Sequence, residues 1–269
     1  MNRKDEEART MNTPLEEALA GLAEPSPTGF ELRILRAVGI PENRYDTYTY
    51  LEAPGGGLYV ASRQETLTGA ALTAVVPGRT EFEERHLART GRSAISTAVP
   101  PTGVRTALRT GRAKQLRVDL SGLTELERAV LAAVRSIPRG QMRPVSWVAH
   151  EAGLAGSGPV TGVLAVNPLH LLIPCHRVAD DDGQPCDAAY GRHVGDALRR
   201  SEGIDPDYIE TLLRLHTVFL GSDTTHIYCH PTCAHARRIT APHQVPFRSA
   251  GDARRAGYRP CKSCRPLAA

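Results

Sequence analysis

The stretch that decides the fold is Leu171–Val178, which reads LLIPCHRV. An apolar run is followed by a rigid proline, and then by Cys175, His176 and Arg177. Basic neighbours lower the pKa of a cysteine, and the resulting thiolate is the nucleophilic form of the side chain. These residues therefore favour a buried segment that presents an activated cysteine to an electrophilic carbon. A core cysteine with an incidental histidine beside it is the alternative that the residues alone leave open.

Three helices are predicted upstream of this stretch. Thr124 and Glu127 form a capping box, and apolar residues at helical spacing follow them. Shorter helices are predicted over 146–152, with Ser146 as the N-cap, and over 159–166, with a glycine-containing turn between them. Such a pair is typical of a helix-turn-helix, whose second helix enters a DNA groove, and also of helical hairpins in other α folds.

From residue 124 to residue 203 the chain resembles the methylated-DNA–protein-cysteine methyltransferases, the O6-alkylguanine-DNA alkyltransferases. The resemblance is carried by the hexapeptide Ile173–Val178, by Asn167 eight residues before the cysteine, and by Glu202 with a glycine after it. Residues 47–120 resemble the sheet domain of that family more weakly.

The resemblance implies direct repair of double-stranded DNA that contains alkylated guanine. Cys175 would take the methyl or alkyl group in one irreversible displacement, so each molecule acts once. His176 would remove the thiol proton through a water, Glu202 would orient His176, and Asn167 would support the turn that positions the cysteine. The damaged base would be flipped out, because its reactive atom is out of reach within the stack.

The resemblance also implies positions that bind the base and the duplex. The substrate-binding positions are Val145, Arg177 and Tyr190, and the DNA-binding positions of the helix-turn-helix are Ser157 and Gly158. Gly158 stands where the family usually has an arginine that fills the vacated stack, and Val145 stands where it has a tyrosine. If the residues after Cys175 are aligned with the family without a gap, Ala188 falls at the position of the family's pocket tyrosine. If the segment 179–189 contains a two-residue insertion, Tyr190 falls there instead. Cys186, in the same segment, is interpreted as an exposed thiol without a role.

Two close cysteine pairs lie near the end of the chain, Cys229 with Cys233 and Cys261 with Cys264. In a reducing compartment this spacing predicts a tetrahedral zinc site with four cysteine ligands. The flanking segments 224–233 and 257–264 resemble the zinc-binding domain of the Ada adaptive-response protein.

That second resemblance implies a further methyl acceptor. Cys229 would be both a zinc ligand and the acceptor of a methyl group from a DNA methylphosphotriester. Arg237 and Arg238 would stand in for the arginines that contact phosphate. A structural or DNA-docking zinc domain is the alternative.

Composition and charge agree with a globular protein that binds DNA. The chain has 269 residues, 41% of them hydrophobic and 23% charged, with a formal net charge of +4. Residues 222–269 contain seven Arg and one Lys against two Asp, which sums to +6. This basic block suggests a polyanionic partner, although a solvated basic tail has the same charge.

Apolar runs long enough to cross a membrane are missing from the sequence, and its first residues have no secretory pattern. We therefore expect a monomeric cytoplasmic protein, associated with the nucleoid and without a membrane partner. The alternatives to a single-turnover methyltransferase are a lesion-sensing regulator with weak or no turnover and an unrelated thiol enzyme with a zinc tail.

The expected fold class is α/β, and more narrowly α+β. The chain is expected to divide into four parts. Residues 1–45 are an extension with a short helix that starts at Thr13. Residues 46–120 hold an antiparallel meander with strands over 45–51, 58–63 and 70–76, helices over 81–89 and 104–109, and a further strand over 115–119. Residues 121–210 are the DNA-binding and catalytic domain, and residues 221–269 are the zinc module.

Overall fold

A computed structural model describes residues 28–267. The expected helix at Thr13 lies outside these residues. The fold is α+β, as predicted, with small sheets and short helices. The helices are α1 (Phe30–Ala37), α2 (Arg79–Thr90), α3 (Val104–Thr110), α4 (Glu125–Ser136), α5 (Val145–Glu151), α6 (Gly158–Ala165), α7 (Arg192–Ser201), α8 (Pro206–Arg214) and α9 (Ala250–Arg255).

The first sheet has the strand order β3-β2-β1-β4. Its strands are β1 (Asp46–Ala53), β2 (Gly56–Arg63), β3 (Thr66–Leu72) and β4 (Ala94–Ser96). The first three form the predicted antiparallel meander, whereas β4 runs parallel to β1.

Two strand predictions in this region are wrong. The third strand ends at Leu72 and not at Val76, because the amides of Val75 and Val76 both donate to the Leu72 carbonyl and turn the chain. Val76 lies beyond the end of the strand, but its apolar side chain is still buried, in the same cluster as Phe82. The strand expected over 115–119 is reduced to an isolated bridge between Leu67 and Val118.

The helical domain begins with the capping box at α4. The Thr124 hydroxyl accepts from the Glu127 amide at 3.2 Å, and the Glu127 carboxylate accepts from the Thr124 amide at 2.7 Å. Helices α5 and α6 follow, and both pack against α4. The prediction that Ser146 is the N-cap of α5 is wrong. The chain stays extended through Pro144, where β5 (Arg143–Pro144) pairs with β6 (Val178–Ala179), and helix α5 begins directly after it.

The C-terminal part forms a second sheet that the sequence patterns did not reveal. Its order is β10-β8-β7-β9. The strands are β7 (Phe219–Ser222), β8 (Ile227–Cys229), β9 (Gln244–Phe247) and β10 (Arg259–Pro260). The module packs directly on the helical domain. The Met142 amide donates to the Thr232 hydroxyl at 2.7 Å, and Arg265 pairs with Glu151 of α5 at 2.7 Å.

Within residues 28–267, every helix is too short or too polar to span a bilayer.

Candidate active site and metal centre

Two tight turns present Cys175. The Leu172 amide donates to the His170 carbonyl at 2.8 Å, which places Leu171 at φ 63° in the left-handed region. The Cys175 amide then donates to the Ile173 carbonyl at 3.0 Å across Pro174, whose φ of −86° and ψ of 74° are those of an inverse γ-turn. Proline favours this geometry because its ring restricts φ.

Asn167 holds these turns and contacts the sulfur. Its Nδ2 donates to the Ile173 carbonyl at 2.9 Å and to Cys175 Sγ at 3.1 Å, while its Oδ1 accepts from the Leu169 amide at 3.0 Å. One buried amide therefore fixes the backbone before the cysteine and also offers a donor to the sulfur.

The Cys175 thiol is completely buried, and burial raises its pKa to about 12. The hydrogen bond from Asn167 and the nearby Tyr190 hydroxyl lower the pKa by less than burial raises it. The expectation of a pKa lowered by His176 and Arg177 is therefore wrong. Both of these side chains are directed to Glu202, so neither brings its positive charge to the buried sulfur. The resting protein holds a neutral thiol at pH 7.

His176 and Glu202 form a buried pair. His176 Nε2 lies 3.0 Å from Glu202 Oε1. Burial raises the pKa of Glu202, but hydrogen bonds and charge from His176 and Arg177 lower it to about 2. Burial also lowers the pKa of His176, so its ring is neutral and its Nε2 carries the hydrogen that Glu202 accepts. The remaining ring nitrogen, Nδ1, is buried and has no hydrogen-bond partner among the described residues.

Arg177 is not placed to bind a substrate. Its guanidinium donates to both carboxylate oxygens of Glu202, at 2.7–3.2 Å, and to the Ile137 carbonyl at 2.7 Å. Gly140 supports the same carboxylate through its amide, at 2.9 Å from Glu202 Oε2. A Cβ at Gly140 would lie 2.8 Å from the Glu202 carbonyl, and the φ of 72° also requires glycine.

Of the two alternatives for the pocket tyrosine, the structure brings Tyr190 to the thiol. Tyr190 is buried, with its ring edge-on to His170 at 5.2 Å and tilted to His176 at 6.3 Å. Ala188 is exposed. Val145 is buried in the same apolar cluster as Cys175, at the first turn of α5. Cys186 is half-buried and not exposed as expected, with its sulfur 3.9 Å from the Thr161 hydroxyl.

Ser157 and Gly158, the two positions predicted to bind DNA, lie where α6 begins. Ser157 is the N-cap residue, although its side chain makes no capping hydrogen bond. Gly158 is exposed, and a Cβ built on it meets no atom within 4 Å. The first turn of the second helix is therefore open to a ligand.

The four cysteines of the C-terminal module form a metal site. The Sγ atoms of Cys229, Cys233, Cys261 and Cys264 lie within 4.8 Å of one another, and all four residues are buried and unpaired by disulfides. A tetrahedral zinc with bonds of about 2.3 Å separates its sulfurs by about 3.8 Å. The four residues therefore fit zinc, which keeps its cysteine ligands deprotonated at neutral pH.

A cavity of about 600 Å³ adjoins two of these ligands, Cys229 and Cys261. Its other lining residues include Arg238, Arg259 and Lys262. The cavity therefore combines thiolate sulfur with positive charge. Arg237 is exposed but does not line it.

Arg237 instead extends towards Gly140 of the helical domain, where a Cβ would lie 3.4 Å from its guanidinium. The structure thus separates the two arginines that the sequence analysis treated as one phosphate-binding pair.

Comparison with protein families defines the class of this chain. Residues 125–204 match the family described as the DNA binding domain of 6-O-methylguanine DNA methyltransferase. Residues 215–266 match the metal binding domain of Ada. The class is therefore an alkyltransferase domain joined to an Ada-type zinc domain.

Curated relatives specify the family further. A methylated-DNA–protein-cysteine methyltransferase of Mycolicibacterium paratuberculosis is 30% identical over 142 residues, which cover 51% of this chain and 80% of the relative. The protein of the same name from Shigella flexneri is 31% identical over 136 residues, 46% of this chain and 79% of the relative. The chain belongs to the methylated-DNA–protein-cysteine methyltransferase family.

A third relative of the same name, from Methanothermobacter thermautotrophicus, is 40% identical over 87 residues. That match spans 32% of this chain and about half, 49%, of the relative. Among solved structures, Mycobacterium tuberculosis OGT in complex with DNA is similar, with 22% identity and a TM-score of 0.48 over 61% of this chain and 98% of that one.

Proposed function

We propose that this protein repairs DNA by direct reversal, with Cys175 as the single-use acceptor of a methyl or alkyl group from O6-alkylguanine. The observation that carries the proposal is the hydrogen bond from Asn167 to the Cys175 sulfur, beside a neutral His176 that an ionised Glu202 holds. The resting thiol is protonated, so a proton acceptor has to act together with the attack. His176 Nδ1 has the lone pair for that task.

In the proposed reaction the sulfur attacks the alkyl carbon, a new S–C bond forms, and the bond from that carbon to guanine O6 breaks. The electron pair of the broken bond goes to the guanine. The thiol proton passes to His176 Nδ1, through a water, and then to the guanine, which leaves as an ordinary neutral base. Glu202 stabilises the transient imidazolium by its charge and keeps Nδ1 directed away from itself. None of these residues can remove the alkyl group from the thioether product, so the transfer is irreversible.

Repair is tested on a duplex that contains O6-methylguanine, by measuring how much guanine is restored at the lesion. The wild-type protein should restore up to one equivalent, and Cys175→Ser should restore none, because a hydroxyl forms far less of its anion near neutral pH. Cys186→Ser is the matched control and should behave as wild type. Tight binding by the wild-type protein without restored guanine would instead support the lesion-sensing alternative, and repair by Cys175→Ser would reject the assignment of Cys175.

We propose a second acceptor, Cys229, for methylphosphotriesters. The observation that supports it is the cavity that Cys229 shares with Arg238, Arg259 and Lys262. The sulfur would attack the methyl carbon, and the phosphodiester anion would leave with the electron pair of the C–O bond. No proton has to move, because a metal-bound cysteine is already a thiolate. The reacting triester is neutral and does not repel it.

DNA with methylphosphotriesters and undamaged guanine tests this second activity by peptide mapping. Methyl on Cys229 alone is the expected result, with Cys233, Cys261 and Cys264 unmodified. The affinity of the module for DNA should then rise, since the site loses one negative charge near the phosphates. Methyl on Cys261, the other ligand at the cavity, would reassign the acceptor. No methyl on any of the four cysteines would indicate that the module is a structural or DNA-docking zinc domain.

The partners in this proposal are duplexes with alkylated guanine or methylphosphotriesters, bound by a monomer that works at the nucleoid.

A further inference from the structure

Arg143 is a buried cation whose counter-ion is not a carboxylate. It is the first residue of β5 in the helical domain and is 2% exposed. Within residues 28–267 it makes no ion pair with an Asp or Glu. An uncompensated buried charge is strongly unfavourable, so a negative group has to lie near it.

The hydrogen bonds of Arg143 do not supply that charge. Its guanidinium donates to the Met142 carbonyl at 2.7 Å and to the Gln141 side-chain oxygen at 2.6 Å, and both acceptors are neutral. Its Nε is buried without a partner. The guanidinium lies 5.6 Å from the centre of the Trp147 ring. An aromatic face favours a cation but does not neutralise it.

The zinc module reaches the same place from the other side. Arg265, directly after Cys264, lies 5.7 Å from the Trp147 ring, so one indole contacts a cation from each domain. Thr232, directly before Cys233, receives the hydrogen bond of the Met142 amide. Burial lowers the pKa of Arg143, and the charges of Cys264, Cys233 and Cys261 oppose that effect. Thr232 and Arg265 each adjoin a cysteine ligand, so their contacts with Met142 and Trp147 bring the cysteine cluster close to Arg143. The cluster is the nearby source of negative charge.

We propose that the zinc centre is the counter-ion of Arg143, so that the helical domain contributes an outer residue to the metal site of the module. Four thiolates around Zn²⁺ carry a net charge of −2, which a buried guanidinium complements. Groups just outside a metal's ligands tune its affinity in this way. The inference concerns how the two domains are joined, and it does not depend on either acceptor activity.

The pairing also connects the module to the strand that follows Cys175. Arg143 pairs with Val178 in the β5–β6 ladder, and Val178 comes directly after the turn Cys175–Arg177. Zinc in the module therefore supports the strand pair that carries the active-site turn. Loss of zinc leaves Arg143 uncompensated and should loosen β5 and helix α5.

Zinc affinity in the full chain, measured by competition with a chelator, tests the proposal. Arg143→Gln should weaken zinc binding by about 10- to 100-fold, the range found for residues outside the ligand shell. Arg143→Lys keeps the charge and should recover most of the loss. Arg135→Gln is the matched control, because Arg135 is a partly buried arginine that donates to backbone carbonyls and makes no ion pair within residues 28–267. Its zinc affinity should equal that of the wild type.

Equal zinc affinity in Arg143→Gln and the wild type would overturn the proposal, as would equal losses in the Gln and Lys variants. If Arg143→Gln does not fold, hydrogen exchange in the wild-type protein decides. Zinc removal should speed amide exchange across helix α5, and the fluorescence of Trp147, the one tryptophan of the chain, should change with it. Exchange in α5 that is indifferent to zinc would contradict the proposed pairing.

Discussion

At the residue scale, the chemistry of Cys175 is set by a competition between burial and its neighbours. His176 and Arg177 follow it in the chain, but both are directed to Glu202 and do little for the sulfur. Burial therefore dominates and holds the pKa of Cys175 at about 12. At neutral pH this burial keeps the thiol protonated in the resting protein.

The reaction of free Cys175 with a small alkylating reagent should depend steeply on pH. Because its pKa is about 12, the thiolate fraction and the rate should rise about tenfold per pH unit from about pH 7 to about pH 10, without a plateau. Cys186 is the internal comparison, followed by peptide mapping. A plateau near pH 7 for Cys175 would mean that its thiolate is stabilised in the resting protein.

Glu202 is expected to contribute strongly to stability. Its pKa is lowered from 4.5 to about 2, so its contribution is complete above about pH 4.5 and is lost as pH falls towards about 2. Glu202→Gln should lower the free energy of unfolding at pH 7 by roughly 3 kcal/mol and leave Arg177 buried without its partner. Glu84→Gln, at an exposed site, is the control. Denaturant unfolding at pH 7 and at pH 3 measures both effects, and an equal loss at the two pH values would contradict this assignment.

The sequence reveals some of these residues and not others. Asn167, His176 and Glu202 are recognisable because each has a fixed place in a motif. The role of Arg177 was not predictable, because sequence adjacency to a cysteine does not tell which carboxylate a long side chain reaches. The pKa of Cys175 was not predictable either, since burial depends on the whole domain.

At the element scale, the open first turn of α6 is the feature on which the expected base flipping would depend. Gly158 has no side chain to fill a vacated base stack, and the space around it is free. An arginine added there would enter free space without disturbing the packing of α6.

Gly158→Arg should therefore speed methyl transfer from duplex DNA several-fold. Transfer from the free base should be unchanged, because no base has to be flipped. Gly162→Arg places the same charge one turn later in the same helix, also at an exposed glycine with free space, and controls for electrostatic attraction alone. Single-turnover rates on both substrates measure the effect. Equal acceleration by the two variants would remove the flipping explanation.

Elements with strong periodicity are the ones that the sequence predicts well. Helix α4 has a capping box and a clear apolar face, and it begins directly after the predicted cap at Thr124. The strands β7–β10 were not predicted, because each has only two to four residues. Apart from the β7–β8 hairpin, the strands that pair are also distant in sequence. The start of α5 was misplaced because the β5–β6 pairing, a tertiary contact, keeps Pro144 extended.

At the scale of the whole molecule, the domains are joined through the hydrogen bond from the Met142 amide to Thr232 and through the ion pair between Arg265 and Glu151. The +6 charge of residues 222–269 thus lies on a module fixed to the helical domain. The sequence predicted both parts but not their contact, since nothing in either motif encodes the partner surface.

The affinity for undamaged duplex DNA should fall steeply with salt, because each phosphate contact releases a counter-ion. Replacing Arg238 and Arg259 by Gln together should reduce the slope of log K against log salt by about 2. Arg36→Gln, at an exposed site of α1, should leave the slope unchanged. Fluorescence anisotropy over a salt series gives both slopes, and an unchanged slope in the double variant would exclude the cavity from DNA binding.

The central claim, that Cys175 is a single-use acceptor, is tested most directly by intact-protein mass spectrometry followed by peptide mapping. The protein is incubated with an excess of duplex DNA whose lesion is O6-methylguanine alone. We expect a mass gain of one methyl group per protein, located on Cys175, with no further gain when more DNA is added. Unmodified protein beside repaired DNA, or repair of more than one equivalent of DNA per protein, would contradict it.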